Sequence, residues 1–588
     1  MVFTAQRRDR PKNWRGDALA ALALAITLAA AWTLRDWHNL SALRLPDTDD
    51  VMRLQQIRDW LGGQRFSDLS QHRLGAGPGL AMHWSRLPDL VPGAIIAALA
   101  PSIGRHAAEI AAVIVWPAML LTTGLFLIAR IARALGGPEI ARTALIVAGI
   151  AYPSSTVFLP GRIDHHGFQV VLLLVMVHAL VARGGMERGL IAGFAAAASI
   201  AIGLETLPLI AVAGAVIVAG WIGRGSDDAL MGFGIALAAG LLTGITVLRT
   251  DQFLYPACDG FTAITWRMAQ FAAFTPIVLA IAGYASKRRE VRAGLAGLAG
   301  AVGVYGVWHA APICLSPYGS VDPMLARLWL AHVGEAQSLF AAPTATAIGY
   351  TGLMVAGVAA SLWRLYRTSN AAWATLLAFQ LGALLLTLLQ MRGAYTGAIL
   401  AAPALAAVIA AARRRGTGSL AAAWIGSAGM LYPLAANAFT PVTGPSDAAR
   451  HANAIGSCTS AEALARFARL PRGRLLAPLD LGAYAIGASA LQVVGAPYHR
   501  NNAGNAAVYR FFLGSPAKAQ VIAKDWRVRY VAFCPDSFGE LGAVDPLSLI
   551  GQLRAGHIPS WMRPMEGPDD GLTLFAIEPR LFERPATL

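Results

Sequence analysis

The sequence predicts a polytopic α-helical membrane protein, with about thirteen transmembrane helices followed by a soluble periplasmic α/β domain. Three observations predict it. The 588-residue chain is 56% hydrophobic and only 14% charged, with a mean hydropathy of +0.52, values foreign to a water-soluble multidomain protein of this length. Long apolar runs recur from residue 18 to residue 438. Beyond residue 439 they stop, and short strand-like pieces such as Arg474 to Leu476, Leu491 to Val494 and Val528 to Phe533 take over, separated by Gly, Pro and Asn.

The first span is residues 18 to 34, which carry no charge and follow Arg7, Arg8, Arg10, Lys12 and Arg15. Basic residues stay in the cytoplasm, so the N-terminus is expected there. A cleavable signal peptide is the competing reading, since Ala29-Ala30-Ala31 resembles a processing site, but the apolar run is longer than a signal core. Further spans follow at 107 to 131, 141 to 159, 168 to 183, 189 to 203, 207 to 222, 229 to 248, 268 to 285, 293 to 311, 343 to 363, 372 to 390, 395 to 412 and 418 to 438. Gly203 and Pro208 leave one kinked helix as an alternative over 189 to 222. Alternation puts Arg130, Arg133, Arg183, Arg188, Arg224, Lys287 to Arg289, Arg364, Arg367 and Arg413 to Arg415 on the cytoplasmic side together.

The domains are then a transmembrane catalytic domain over 1–438 and a periplasmic soluble domain over 439–588. External loops lie at 35–106, 160–167 and 312–342. Within the first, residues 90 to 103 are too few to span and are expected in the interface, with Met82 to Arg86 as an interfacial anchor. Cys258, Cys314, Cys458 and Cys534 all fall in external segments, where disulfides form, but no pairing follows from their positions. Only four of the 48 basic residues are lysine, which with the Ala and Gly excess points to a bacterial, GC-rich genome and hence to a bacterial inner membrane. Nucleic-acid binding is not implied by the net charge of +15, because arginines between spans already account for much of it.

The chemistry is expected in the external loops. Asp47, Asp49 and Asp50 crowd three carboxylates into the stretch Leu45 to Arg53, which attracts a divalent cation if it is more than a solvated acidic turn. Gly161-Arg162-Ile163-Asp164-His165-His166 sets a carboxylate and an imidazole two residues apart. A later loop carries Glu335 within Val333 to Ser338, and Arg392 stands at the external end of a span, where a guanidinium is costly unless it meets an anion.

In this order the pieces resemble the catalytic subunit of oligosaccharyltransferases, members of the GT-C superfamily of lipid-linked-sugar glycosyltransferases. Asp47 lies six residues before Arg53, Gly161 to His166 looks like the family's Gly-x-x-Asp-x-His form, Val333 to Gln337 resembles its glutamate motif, and Arg392 fits its arginine for the lipid-linked diphosphate. The family's Trp-Trp-Asp-Tyr-Gly block, which recognises the Ser or Thr of a glycosylation sequon, survives only as Pro478-Leu479-Asp480-Leu481-Gly482.

The resemblance implies transfer of a sugar or oligosaccharide from a polyprenyl phosphate or diphosphate donor to a periplasmic glycan, lipid or protein. It implies Mg²⁺ or Mn²⁺ on Asp47, Asp164 and His166, a base or orienting carboxylate at Asp47 or Glu335, and donor phosphate at Arg392. Asp49, Asp50, Arg53 and Asp480 are further candidates, and His165 is expected to matter less than His166. Pro497 to Asn502 is either an acceptor contact or a structural loop. The missing tryptophans put a sequon acceptor in doubt and leave room for a single-sugar transferase acting on lipid A, surface polysaccharide or a lipid. A transporter or flippase of lipid-linked sugars is the rival from another class, but it would concentrate ionisable groups at mid-membrane, whereas these acids cluster in loops on one side.

Overall fold

A chain that must satisfy every backbone amide inside a bilayer has helices as its simplest solution, and the apolar runs take it. The computed structural model describes residues 13–316, 318–439, 458–566 and 571–578. The basic residues 7 to 12 and the first residues of the tail lie outside these. Among the described residues nine helices are long and apolar enough to cross a membrane. Helices Thr417–Ser427 and Leu431–Phe439 add one more if counted as a single span bent by 88°, and Leu87–Ile103, His166–Ala182 and Leu207–Gly223 are shorter apolar helices.

The element bounds depart from the hydropathy reading where Gly and Pro intervene. The run 189 to 222 is two helices, Gly185–Ile202 and Leu207–Arg224, interrupted at Gly203 to Thr206. Residues 141 to 159 are helical only over Pro138–Gly149; the chain then turns through the Tyr152-Pro153 cis peptide into a short 3₁₀ helix, Ser154–Phe158. A proline disfavours helical geometry in the residue before it.

The chain forms two compact units. The first comprises residues 1–36, 84–317 and 334–440, and the second residues 37–83, 318–333 and 441–588. In the first unit, helices Gly185–Ile202 and Asp227–Leu248 approach until their backbones touch. A Cβ on Gly189 would lie 2.1 Å from the Ala229 carbonyl oxygen, and one on Gly193 would lie 2.5 Å from that of Phe233. Small residues four apart therefore make this contact possible.

Charge in the first unit is sorted to helix ends. Asp17 meets Arg130 at 2.9 Å and also Arg133, Asp227 holds Lys287 at 2.6 Å and Arg292 at 2.9 Å, and Glu139 pairs with Arg413 at 3.0 Å. Most of these basic residues are ones the sequence assigns to the cytoplasmic loops. A Cys258–Cys314 disulfide joins two connections between other helix ends.

Met82, Trp84, Ser85 and Arg86, expected as an interfacial anchor, are instead buried at 1 to 3% exposure. The Trp84 ring stands 6.4 Å from that of His165 and Arg86 pairs with Asp89 at 3.3 Å, so this stretch belongs to the interior.

The second unit is α/β. Its strands, in chain order, are β1 (Ser70–Gln71), β2 (Leu80–Ala81), β3 (Arg474–Leu476), β4 (Gln492–Val493), β5 (Tyr530–Phe533), β6 (Met562–Pro564) and β7 (Thr573–Ile577). β1 and β2 form an antiparallel pair, and the others a mixed sheet of order β4-β3-β5-β7-β6, parallel among β4, β3 and β5 and antiparallel elsewhere. The early loop completes it: Gly75 N donates to Val493 O at 2.9 Å and Val493 N to Arg73 O at 2.8 Å, prolonging the sheet beyond β4. A core of Phe511, Phe512, Phe533 and Phe575 takes in Val321 and Leu325 from the third loop. A second disulfide joins Cys458 to Cys534.

Gly482 sits where helix Leu479–Ala488 passes the Gly495 carbonyl, and a Cβ there would come within 2.1 Å of that oxygen. Gly482→Ala is expected to cost about 1–3 kcal/mol, read as a lowered denaturation midpoint, whereas Ala substitution of the unobstructed Gly214 should cost less than half as much.

Candidate active site

Helix His166–Ala182 begins at the loop Gly161 to His165, and the first candidate residues owe their positions to that start. Gly161 takes φ 92°, a left-handed value that favours glycine, and its N–H donates to Val113 O at 2.8 Å. Asp164 then caps the helix, accepting the His166 N–H at 3.0 Å, while its other oxygen meets Arg162 at 2.6 Å. Burial opposes ionisation of Asp164, but Arg162 and the neighbouring imidazoles outweigh it and hold the carboxyl below the usual carboxylate range.

His166 and His165 diverge. His166 Nε2 is 3.4 Å from Glu335, whose second oxygen is 3.2 Å from the Arg392 guanidinium. The loop carrying Glu335 is pinned to the start of helix Gly393–Leu400 by backbone bonds, Arg392 N to Glu335 O at 3.1 Å and Met391 N to Gln337 O at 2.9 Å. Burial again opposes charge on Glu335, but Arg392 and His166 prevail and keep it ionised. The anion that the sequence demands for Arg392 is thus, in this structure, Glu335.

His165 turns the other way, its Nε2 3.3 Å from Glu205. Burial pushes this imidazole down in pKa, against the pull of Glu205, toward which its Nε2–H donates. Gln169 donates to the other Glu205 oxygen at 2.9 Å. Burial works against the Glu205 charge too, but His165 dominates and its carboxyl lies well below the usual range. Glu205 and Gln169 were absent from the sequence expectation. The available signal was that Glu205 is the lone acid between residues 188 and 226, next to the break at Gly203.

These loops converge on a small, open-sided cavity. Arg392, His166, Gln169, Glu205 and Thr206 form its polar lining, and Val170, Leu209 and Leu386 its apolar part.

The remaining candidates lie in the second unit. Asp47 is the N-cap of helix Thr48–Leu61 and accepts the Asp49 N–H at 3.1 Å, which is reason enough for an aspartate there. Asp49 is half-buried, while Asp50 and Arg53 are buried on that helix. Tyr498 Oη donates to Thr48 O at 3.1 Å and Tyr484 Oη to Leu45 O at 3.2 Å, so two hydroxyls fix the stretch that carries the acids. Burial, with Asp49 and Asp47 behind it, keeps Tyr498 protonated as that donor. Asp480 is exposed in the first turn of its helix. Within Pro497 to Asn502, Asn501 binds Val494 O and Asn505, and Arg500 binds the carbonyls of Ala81 and Met82, so these polar groups serve the unit's own backbone.

Among the described residues no group of three His, Cys, Asp or Glu side chains is arranged to hold a metal ion. The donor chemistry at Asp164 and His166, one carboxylate and one imidazole, nevertheless fits a divalent ion of the Mg²⁺ or Mn²⁺ kind. Their present partners, Arg162 and Glu335, are the groups such an ion would compete with.

The fold is similar to that of solved archaeal oligosaccharyltransferase structures. The solved structures it matches include archaeal oligosaccharyltransferase AglB from Archaeoglobus fulgidus in complex with an inhibitory peptide and a dolichol-phosphate, at 12% identity, covering 95% of this chain and 74% of that one with a TM-score of 0.63. They also include the apo form of that enzyme, at 14% identity over 88% and 70% of the two chains with a TM-score of 0.63. Its complex with Zn and sulfate matches at 12% identity over 95% and 73%, with a TM-score of 0.62. At such identities the likeness is one of fold. No family model and no curated protein matches the chain.

The Arg392–Glu335 pair predicts a coupling. Arg392→Met should destabilise the unliganded protein by roughly 1–3 kcal/mol by leaving a partly buried carboxylate without its cation, and adding Glu335→Gln should recover much of that loss. Thermal unfolding in detergent of the two single variants and the double variant measures it; strictly additive losses would refute it.

Proposed function

We propose that this chain is a membrane glycosyltransferase of the oligosaccharyltransferase-like GT-C type. It transfers a sugar or oligosaccharide from a polyprenyl phosphate or diphosphate to an acceptor on the periplasmic face of a bacterial inner membrane. The observation that carries this reading is the meeting of Arg392, His166 and Glu335 beside a cavity with polar and apolar lining, at the ends of apolar helices. The fold likeness supports it, since the archaeal enzyme of this fold is described with a dolichol-phosphate and with an acceptor peptide containing the NVT sequon.

The division of labour follows from the side chains. A leaving phosphate needs its growing negative charge neutralised, and Arg392 supplies a fixed cation with several donors. Glu335, displaced from Arg392 by the incoming anion, becomes free to accept a proton or a hydrogen bond from the acceptor. Asp164 and His166 are the ligands we assign to a divalent metal, Mg²⁺ or Mn²⁺, which when bound would act as a Lewis acid toward the phosphate. Asp47 remains the third ligand candidate from the sequence, and caps a helix in its own unit.

The acceptor is better read as a glycan or lipid than as a sequon peptide. Without tryptophans, Pro478 to Gly482 keeps an exposed Asp480 and a glycine required by packing against Gly495. A transporter is disfavoured because the ion pairs of the first unit stand at helix ends.

Deletion of the gene should cause lipid-linked donor to accumulate and one surface glycan to disappear, both read by mass spectrometry. Wild-type complementation should restore the product, and Arg392→Ala or Asp164→Ala should leave less than about a hundredth of it. Unchanged lipid-linked pools in the deletion strain would refute the function. Topology is checked separately: cysteines introduced near 520 should label from outside intact cells and those near 288 and 414 should not, the reverse pattern inverting the orientation.

A further inference from the structure

The side chains the sequence did not single out carry an inference about which donors are accepted. Gln169 is 1% exposed. Its amide nitrogen donates to Glu205 Oε2 at 2.9 Å and to Gly203 O at 3.3 Å. Both partners only accept, so the amide has one sensible orientation: turned over, it would set its oxygen against a carboxylate. In that orientation the Gln169 Oε1 atom is buried and has no hydrogen-bond partner. A buried acceptor left so is an exception that calls for a missing donor. Gln169 borders the cavity, so a ligand is in position to supply one.

Glu205 extends the same surface. Its two oxygens each have one partner, His165 on one and Gln169 on the other, and an ionised carboxylate has roughly four acceptor sites. The wall made by Gln169 and Glu205 therefore asks for O–H or N–H groups. Arg392, also lining the cavity, has only donors and meets Glu335 at 3.2 Å, a carboxylate that the anionic group of a ligand would displace. One ligand meets both demands when its anionic group adjoins a ring bearing hydroxyl or acylamino hydrogens.

We propose that Gln169, backed by Glu205, is the specificity-determining wall for the carrier-proximal sugar of the donor, accepting hydrogen bonds from that sugar's hydroxyl or acylamino group while its phosphate lies on Arg392. The proposal rests on the glycosyltransferase reading. It adds that the protein binds the sugar and not only the phosphate and lipid. His165 acts one step behind, orienting Glu205.

The test is equilibrium binding to the full-length protein in lipid nanodiscs. The probes are farnesyl diphosphate and its glucose, galactose, N-acetylglucosamine and N-acetylgalactosamine conjugates. At least one conjugate should bind about tenfold more tightly than farnesyl diphosphate. Gln169→Leu and Gln169→Met should both erase that advantage while leaving farnesyl diphosphate binding unchanged, which also shows that the variants are folded. The proposal is overturned if no conjugate gains from its sugar, if the gain persists in both variants, or if both variants lose farnesyl diphosphate as well. Failure of wild-type protein to bind farnesyl diphosphate would overturn the glycosyltransferase reading itself, a result distinct from loss of the sugar's contribution alone.

Discussion

Ionised groups among apolar helices must find an opposite charge, and this constraint arranges the first unit. Removing a carboxylate or a guanidinium from water costs several kcal/mol unless a partner and further hydrogen bonds compensate. Asp17 with its two arginines and Asp227 with Lys287 and Arg292 answer it with closed pairs that have few remaining demands. Glu335 and Glu205 answer it differently, each sharing its charge with groups that line a cavity, His166 and Arg392 for the first and Gln169 for the second. The same physics thus yields fastening in one place and the candidate site in another, and the difference lies in whether a cavity adjoins the pair.

In the second unit the governing interaction is the hydrogen bond from a long side chain to a backbone carbonyl. Tyr484 and Tyr498 hold the acidic stretch, Arg58 reaches Gly487 O at 2.8 Å, and Arg73 reaches Ser489 O at 2.6 Å. Loop carbonyls without a regular ladder need such donors. The acids at 47, 49 and 50 are therefore held on a fixed helix start and not on a loose turn.

Hydropathy and charge made the helices readable in advance because membrane insertion is governed by those same quantities. Runs such as 229 to 248 and 372 to 390 match Asp227–Leu248 and Ala371–Leu389 to within two residues. Reading fails where a local breaker decides, as at Pro153, and where burial is tertiary, as at Trp84, whose type alone suggests an interface. In the site, Arg392 could be given an anionic partner from cost alone. Glu205 could not be placed, because its partners His165 and Gln169 lie on a different helix start and only the folded chain shows which acid meets which imidazole. Asp47 illustrates the opposite difficulty, since one residue type serves both as helix cap and as metal ligand.

The prolongation of the sheet by Arg73 to Gly75 alongside Val493 makes the second unit discontinuous, with its interacting parts separated by more than 400 residues. During synthesis the early segment has emerged long before its strand partners exist, so for most of translation it waits with unpaired backbone groups. A fragment cut out at residue 439 would inherit the complementary problem, a bare strand edge at β4 and carbonyls such as Gly487 O stripped of their arginines. Bare edges invite pairing with other chains. The boundary drawn by hydropathy is thus a poor place to divide the molecule, and a secreted version of the tail would need residues 37–83 supplied with it.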